Sequence, residues 1–310
     1  MIDNRLVMLS MIDRHGTVTA AAHALHYSPS TVSHQIRQLA AELGVTLLEQ
    51  RGRTIRLTAA ALSLLRHVDA MSTEWERALA ELGEHSDEVA GSIGLCGFST
   101  AAGLLLPPTM KALNERFPRL RTQTIEAEPG ECFDFLLAGD ADVGVVVATS
   151  DIPAGADARF HQRFLIDDPL DLMVPLDHPL AERESVTIAD TASQTWILGR
   201  PGTTYHQLVM ASCTAAGFTP IVGHYANDWN TGTALVHSGF GICVASRLSR
   251  SQDLHPVRRI PLSGENAPTR HISAVTRAGA EERLTIRFTL DALSEETQRL
   301  MARLERDLLS

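Results

Sequence analysis

The first 44 residues carry apolar stripes at helical spacing, separated by residues that begin or end helices. Apolar positions from Leu6 to Ile12 predict a first helix, and Gly16 ends it because glycine adopts the left-handed conformation at little cost. Thr19 is predicted to cap a second, short helix that runs to Leu25.

A third helix follows a short connection. Ser28 is a suitable N-cap, Pro29 occupies the first helical position, and apolar residues then recur at spacings of four, three and four up to Gly44. The other faces carry short hydroxyls, an imidazole and a guanidinium, on Ser30, Thr31, Ser33, His34 and Arg37. Such groups hydrogen-bond to base edges and phosphates, so the pattern is typical of a helix-turn-helix; a generic helical hairpin is the alternative.

Residues 45–58 favour the DNA-binding interpretation. They predict two short strands around an Arg-Gly-Arg tip, with cations at Arg51, Arg53 and Arg56. A basic wing of this kind reaches a minor groove or flanking phosphates. A generic helical hairpin does not account for it.

Residues 57–82 form a heptad seam, because their apolar positions are spaced alternately four and three residues apart. The seam includes Leu64, Val68, Met71, Trp75 and Leu82. We favour a dimerisation helix, since a two-fold partner would present a second copy of the DNA-binding helix. The alternative is a single amphipathic helix that lies on the core of its own chain.

From residue 91 onward, strand patterns alternate with helix patterns. The predicted strands are 92–97, 120–125, 142–147, 170–174, 195–198, 221–225, 241–245 and 270–276. Helices are predicted up to 117 and at 131–137, 205–216, 229–237 and about 282–308. The alternation predicts an α/β fold with parallel sheets in two lobes and a ligand site at the carboxyl ends of the strands.

Composition and charge then divide the chain. The 310 residues are 44% hydrophobic and 21% charged, as in ordinary globular proteins, and neither an apolar run of membrane-spanning length nor a secretory signal is present, which predicts a cytoplasmic protein. The net charge of −10 argues against DNA only if it is evenly spread. Residues 1–58 carry six arginines against four carboxylates, or +2, which leaves −12 for the rest.

These patterns resemble the LysR-type transcriptional regulators. The resemblance rests on residues 19–22 (TAAA), 28–39 (SPSTVSHQIRQL), 42–45 (ELGV) and 47–58, and on 141–145 (ADVGV) and 236–244 (VHSGFGICV). It implies a winged helix-turn-helix at 1–58, a coiled-coil linker helix at 59–89 and an effector-binding domain at 90–310 of the type 2 periplasmic-binding-protein fold. Lobe I would comprise about 91–163 and 268–310, and lobe II about 164–267.

The resemblance also implies roles for individual residues on the DNA-binding surface. Positions 29, 30, 33 and 34 would face base edges, and Arg53 would lie on the wing. The complete predicted DNA-binding set is Thr19, Ser28, Pro29, Ser30, Thr31, Ser33, His34, Arg37, Arg51, Arg53 and Arg56.

A small-molecule effector is expected in the cleft between the lobes, at strand ends and helix N-termini. The candidate residues are Ser99, Thr100, Glu128, Val147, Thr203, Thr204 and Asn227. For each serine or threonine the alternative is that it caps its own helix. If Glu128 faces inward, its carboxylate favours a ligand with an amine or hydroxyl donor over an anion.

The sequence offers little support for catalysis or redox switching. HExxH, GxSxG and glycine-rich phosphate motifs are absent, and no CxxC pair is present, so neither a metal nor a cofactor is expected. Peroxide-sensing members of the resembled family keep a reactive cysteine near Cys213. In this chain the region of the second reactive cysteine holds Thr203 and Thr204 instead. A buried structural thiol is therefore the favoured interpretation of Cys213.

The sequence therefore predicts a sequence-specific, DNA-binding transcriptional regulator and not an enzyme. Its predicted partners are double-stranded DNA with a two-fold-related operator, further copies of the chain in a homodimer or homotetramer, and a small effector. RNA polymerase is a further partner if the protein is an activator. No interaction with a membrane is expected. The rivals are a solute-binding protein and an enzyme on the same two-lobed fold. The missing signal peptide and the first 58 residues count against the solute-binding protein.

Overall fold

The computed structural model describes residues 3–51, 54–85, 88–148, 157–249 and 254–309, which form two compact units. Unit 1 comprises Met1–Val146, Gly155–Arg163 and Ala274–Glu296. Unit 2 comprises Val147–Ala154, Phe164–Ser273 and Thr297–Ser310. Within the described ranges no helix is long and apolar enough to cross a membrane.

Unit 1 begins with three helices, α1 (Asn4–His15), α2 (Val18–Ala24) and α3 (Pro29–Leu43). The predicted helix ends are confirmed, since Gly16 and Gly44 lie in the left-handed region at φ 72° and 68°. These two glycines let α1 and α3 stop sharply, because a side chain would be strained at either position.

The predicted cap of α2 at Thr19 is wrong by two residues. Thr17 is the N-cap, and its hydroxyl accepts a hydrogen bond from the backbone N–H of Ala20 at 3.1 Å. Both threonines are chemically suitable. The helix starts earlier because Val18 is buried in the core under the three helices, whereas Thr19 is exposed.

The wing is confirmed as β1 (Leu48–Arg51) paired antiparallel with β2 (Thr54–Leu57). Glu49 lies opposite Arg56 in this ladder. Leu47, just before β1, is buried in the core of α1–α3, which anchors the wing to the helices. Arg53, at the predicted tip, lies outside the described residues.

The linker helix α4 spans Ala59–Glu84, and its seam is divided between two environments. Leu64 packs partly against the core of α1–α3, and Val68 is buried. Val68 thus packs on the core of its own chain, as the alternative interpretation expects, and Leu64 does so in part. That the seam forms a dimer stays a prediction. The remaining seam residues are solvent-exposed: Met71 (49%), Trp75 (43%) and Leu82 (63%).

The α/β part of unit 1 is built on a parallel sheet in the order β4-β3-β5. Its elements are β3 (Ala90–Gly97), α5 (Ser99–Leu104), α6 (Leu106–Arg116), β4 (Arg119–Glu126), α7 (Pro129–Ala138) and β5 (Val143–Val147). The single helix predicted up to residue 117 is in fact two helices. The chain breaks at Leu105 because Pro107 and Pro108 lack the backbone N–H that a continuous helix needs.

The chain crosses into unit 2 along β6 (Phe160–Val174) and returns along β12 (Thr269–Arg277). The elements between them are β7 (Val186–Thr187), β8 (Thr195–Leu198), α8 (Thr204–Ala215), β9 (Ile221–Tyr225), α9 (Trp229–His237), β10 (Cys243–Ser246) and β11 (Arg258–Ser263). The last helix, α10, is Leu284–Leu309. The prediction of purely parallel pairing is wrong here: β8 and β9 are parallel, but β10 and β11 both pair antiparallel with β6.

Candidate DNA-binding and effector sites

The outer face of α3 presents a compact polar surface. Ser30, Ser33, His34 and Arg37 follow one another at i, i+3, i+4 and i+7, which places them on one side of the helix. Ser33 is half-buried and the other three are exposed. The inner face holds Val32, Ile36 and Leu39 in the core. The apolar stripe thus packs α3 onto the core, and the predicted base-contacting residues lie on the opposite, outer side of the helix.

The start of α3 is stabilised by a cluster of hydroxyls. The Ser28 Oγ accepts from the backbone N–H of Thr31 at 3.1 Å and lies 2.8 Å and 2.7 Å from the hydroxyls of Ser30 and Thr31. Ser28 is therefore primarily the cap, and Pro29 is exposed at the first helical position. This local network satisfies a backbone N–H of the first turn and so stabilises the start of α3.

The structure separates the arginines of the first 58 residues into two classes. Arg5 is held by Asp3 at 2.6 Å and Glu42 at 2.8 Å, and Arg14 by Asp134 at 2.7 Å. Arg37 on α3 and Arg56 on β2 are exposed. Counting six arginines overstates the positive charge available to DNA, because two are already paired within the chain.

The Arg14 pair joins the DNA-binding part to the first α/β lobe inside unit 1. Asp134 is buried on α7, and it also lies 3.0 Å from His15 Nε2. Arg14 donates further to the Gly130 carbonyl at 3.0 Å and stacks over Phe133. The sequence signal for this contact is a carboxylate that stands between two phenylalanines in a mostly apolar helix.

A second link connects the linker helix to the end of β12. Glu76 is buried, and it accepts from Arg277 Nε at 2.5 Å and from Arg283 at 3.3 Å. Arg277 also contacts Asp142 at 2.9 Å. Glu76 lies outside the heptad seam of α4, and these arginines cover it. The strand that returns from unit 2 therefore ends on the helix that carries the DNA-binding domain.

The candidate effector residues of unit 1 lie after neighbouring strands. Ser99 is exposed at the start of α5 and Thr100 is buried beside it. Glu128 is exposed at the N-cap of α7, where its own N–H donates to Glu131 Oε2 at 2.9 Å. The two loops are adjacent because β3 and β4 are parallel neighbours. The α5 helix is short, with six residues, so its N-terminus offers only a weak dipole.

The candidates of unit 2 converge on the backbone of Arg200. Thr203 Oγ1 donates to the Arg200 carbonyl at 2.8 Å and accepts from His206 N–H at 3.3 Å, so it caps α8. Asn227 Oδ1 accepts from Arg200 N–H at 2.8 Å. A side chain on Gly199 would lie 2.7 Å from Thr203 Oγ1, so this tight loop requires glycine there.

Thr204 is the first residue of α8 and Val147, the last residue of β5, is buried. It stays a prediction that the candidate residues of the two units contact one effector.

All four cysteines are free and buried. Burial raises the pKa of the Cys213 thiol to about 11 and that of Cys243 to about 12. The neighbouring Cys96 thiol and burial together raise the pKa of Cys132. Among the described residues no cluster of histidine, cysteine or carboxylate side chains is arranged to hold a metal ion.

Two family models match the chain along nearly its whole length. The helix-turn-helix model of the lysR family of bacterial regulatory proteins covers residues 4–62, and the LysR substrate binding domain covers residues 86–298. The chain belongs to the LysR family. It is a transcriptional regulator with a helix-turn-helix DNA-binding domain and an effector-binding domain, and the predicted fold class, function and absence of enzymatic activity are confirmed.

Individual relatives agree with this assignment. The hydrogen peroxide-inducible genes activator of Pectobacterium carotovorum is 27% identical over 97% of this chain and 98% of its own. The transcriptional dual regulator GltC of Bacillus subtilis is 31% identical over 69% and 70%.

Among solved structures, full-length BenM (21% identity, TM-score 0.59, 98% and 97% covered) and an OxyR mutant from Corynebacterium glutamicum (20%, 0.62, 98% and 94%) share the fold.

Proposed function

We propose that this LysR-type regulator acts as a homodimer, or as a homotetramer built from two such dimers, that places paired α3 helices on a two-fold-related operator. The observation that carries the proposal is the exposed apolar row of Met71, Trp75 and Leu82 on α4. Large apolar side chains in a heptad row are costly to leave in water, and a second copy of the same helix covers them. Size measurement by light scattering, with and without substitutions in this row, tests it.

In this proposal α3 recognises bases while the wing holds phosphates. His34→Ala should relax sequence preference at one position of each half-site, with little change in the salt dependence of binding. Arg56→Ala should weaken binding to all sequences and lower the slope of log K against log salt by about 1.8, because a dimer loses two phosphate contacts. Fluorescence anisotropy titrations with operator and scrambled DNA distinguish the two, and equal effects of both substitutions would contradict the division.

The effector, in this proposal, is a small molecule that contacts the loops holding Ser99 and Glu128 in unit 1 and Thr203 and Asn227 in unit 2. The Glu128 carboxylate favours a ligand with an amine or hydroxyl donor. The signal would pass along β12 to Arg277 and so to Glu76 on α4. We expect no cofactor, and we place the protein in the cytoplasm, where the DNA is; RNA polymerase is a further partner if the protein is an activator.

Thiol oxidation is a second candidate signal, because relatives bear the name of hydrogen peroxide-inducible genes activators. Burial and a raised pKa argue against it, since at neutral pH a thiol of pKa about 11 is ionised in about one molecule in ten thousand. We expect hydrogen peroxide to change operator affinity less than about twofold, as measured by anisotropy, with Cys213 still reduced by mass spectrometry. A disulfide or sulfenic acid at Cys213 that shifts DNA affinity would contradict this expectation.

A further inference from the structure

A cavity of about 320 Å³ lies within unit 1, apart from the proposed effector loops. One wall is the inner side of α4, and the opposite walls come from α1, from the end of α7 and from the turn after β12. Its apolar lining includes Val7, Val68, Trp75, Leu79 and Leu137. The DNA-binding domain, the linker helix and the first α/β lobe therefore all border the same space.

The cations that line this cavity already have partners. Arg159 is bound to Asp157 at 2.6 Å, and Arg277 and Arg283 are bound to Glu76. An anionic ligand would have to compete with these carboxylates for each guanidinium. The cavity therefore offers little to a carboxylate or phosphate.

The hydroxyls that line the cavity are satisfied as well. Ser72 and Thr73 donate to backbone carbonyls one turn earlier on α4, at 2.8 Å and 3.1 Å, and Ser10 donates to the Leu6 carbonyl at 3.1 Å. These bonds fix the hydroxyls along their own helices. A ligand therefore does not need to hydrogen-bond to any of these three hydroxyls.

Asp69 differs from every other charged residue in the lining. Its carboxylate has no hydrogen bond or ion pair within the part of the chain that the structure describes, although it is half-buried. Burial raises its pKa, and the charges of Asp157 and Asp13 raise it further, against the opposing effect of Arg159. A half-buried carboxylate without a partner is unfavourable, and a cation placed beside it would relieve that cost.

We propose that this cavity binds a small organic cation with an apolar body, with the Asp69 carboxylate as its counter-ion. Trp75 also lines this cavity, so its ring can contact both the apolar body and the positive charge of the ligand. The volume is at the lower end of the range for ligand pockets, about 300–1,000 Å³, which suits an arylalkylamine. Because the walls come from three parts of unit 1, the bound cation holds the DNA-binding domain against the first lobe.

The test uses the full chain and three probes of similar shape. Phenethylammonium carries the proposed charge, 2-phenylethanol is neutral, and 3-phenylpropionate is an anion. At about 10 mM, phenethylammonium should raise the Tm measurably and the other two should not. Calorimetric titration then gives the Kd of phenethylammonium for the wild type and the variants.

Three variants locate the binding. Asp69→Asn keeps the shape of the side chain and removes its charge. It should raise the Kd of phenethylammonium at least tenfold. Glu74→Gln removes an exposed carboxylate from the same helix and should leave the Kd unchanged. Leu79→Trp fills the cavity and should abolish binding without touching a charged group.

Three outcomes would overturn the proposal. They are no binding to the wild type, equal affinity in Asp69→Asn, and equal binding of the neutral or anionic probe. The Tm and Kd measurements depend neither on DNA nor on the effector loops. Failure of this proposal can therefore be distinguished from failure of the proposed function.

Discussion

Met71→Glu combined with Leu82→Glu should convert the protein into a monomer and weaken its binding to operator DNA by at least about 100-fold. Both side chains are exposed on the row that we assign to the partner helix, at 49% and 63%. Two carboxylates on each helix would lie opposite two more in the dimer, where like charges repel and apolar contact is lost. A single DNA-binding domain then binds without the benefit of a linked second copy.

Leu62→Glu is the matched control. Leu62 is also an exposed leucine of α4, at 43%, but it lies nine residues before Met71, which is two and a half helical turns and thus the opposite side. Light scattering should show the dimer or tetramer mass for this variant and the monomer mass for the double variant. Equal masses for both would mean that the exposed row is not the interface.

Asp168→Asn should destabilise the protein by about 3–5 kcal/mol, because it removes a charged acceptor that is buried against a guanidinium. Asp168 is buried in unit 2, where Arg270 donates to it from Nε at 2.8 Å and from the terminal nitrogen at 2.5 Å. Ser246 Oγ at 2.8 Å and the Leu248 N–H at 3.3 Å complete its hydrogen bonds. Burial lowers the pKa of Arg270, and the Asp168 carboxylate opposes that shift.

Two comparisons isolate this effect in denaturant unfolding. Asp167→Asn, at the preceding position of β6, removes only an exposed pair with His271. It should lower the free energy of unfolding by less than about 1 kcal/mol. The double change Asp168→Leu with Arg270→Met should recover most of the loss, because it removes both charges together. A loss for Asp168→Asn no larger than that for Asp167→Asn would contradict the assignment of a structural ion pair.

Elements with a strong local pattern were predictable from the sequence. α3 follows from its cap, its first-turn proline and its apolar stripe, and the observed bounds Pro29–Leu43 agree with that prediction. β8 and β9 are short apolar runs bounded by turn residues, and they too have the predicted bounds. In each case the determining interactions lie within a few residues of one another along the chain.

Features that depend on distant residues were not predictable in the same way. The ion pair of Glu76 is an example, because its partner Arg277 is 201 residues away along the chain. The first half of β6 was missed because its sequence, with charges at Arg163, Asp167 and Asp168, lacks the apolar alternation of a strand.

The candidate sites divide in the same manner. The α3 surface followed from one helix, whereas the Asp69 cavity needs five separate segments of unit 1 that only folding brings together. The seam of α4 shows both situations. Its period was correct along the whole helix, but only the three-dimensional structure shows that Val68 is buried within the chain and that Met71 is not.

The most direct test of the central claim is a hydroxyl-radical footprint of the full-length protein on the DNA upstream of its own gene. We predict two related half-sites whose centres are separated by about 10 base pairs or a multiple of that spacing, each protected along the sugar-phosphate backbone beside the major groove that α3 enters. Both half-sites should lose protection together in the Met71→Glu, Leu82→Glu variant. Protection of one isolated half-site, or protection that this variant retains, would contradict the account.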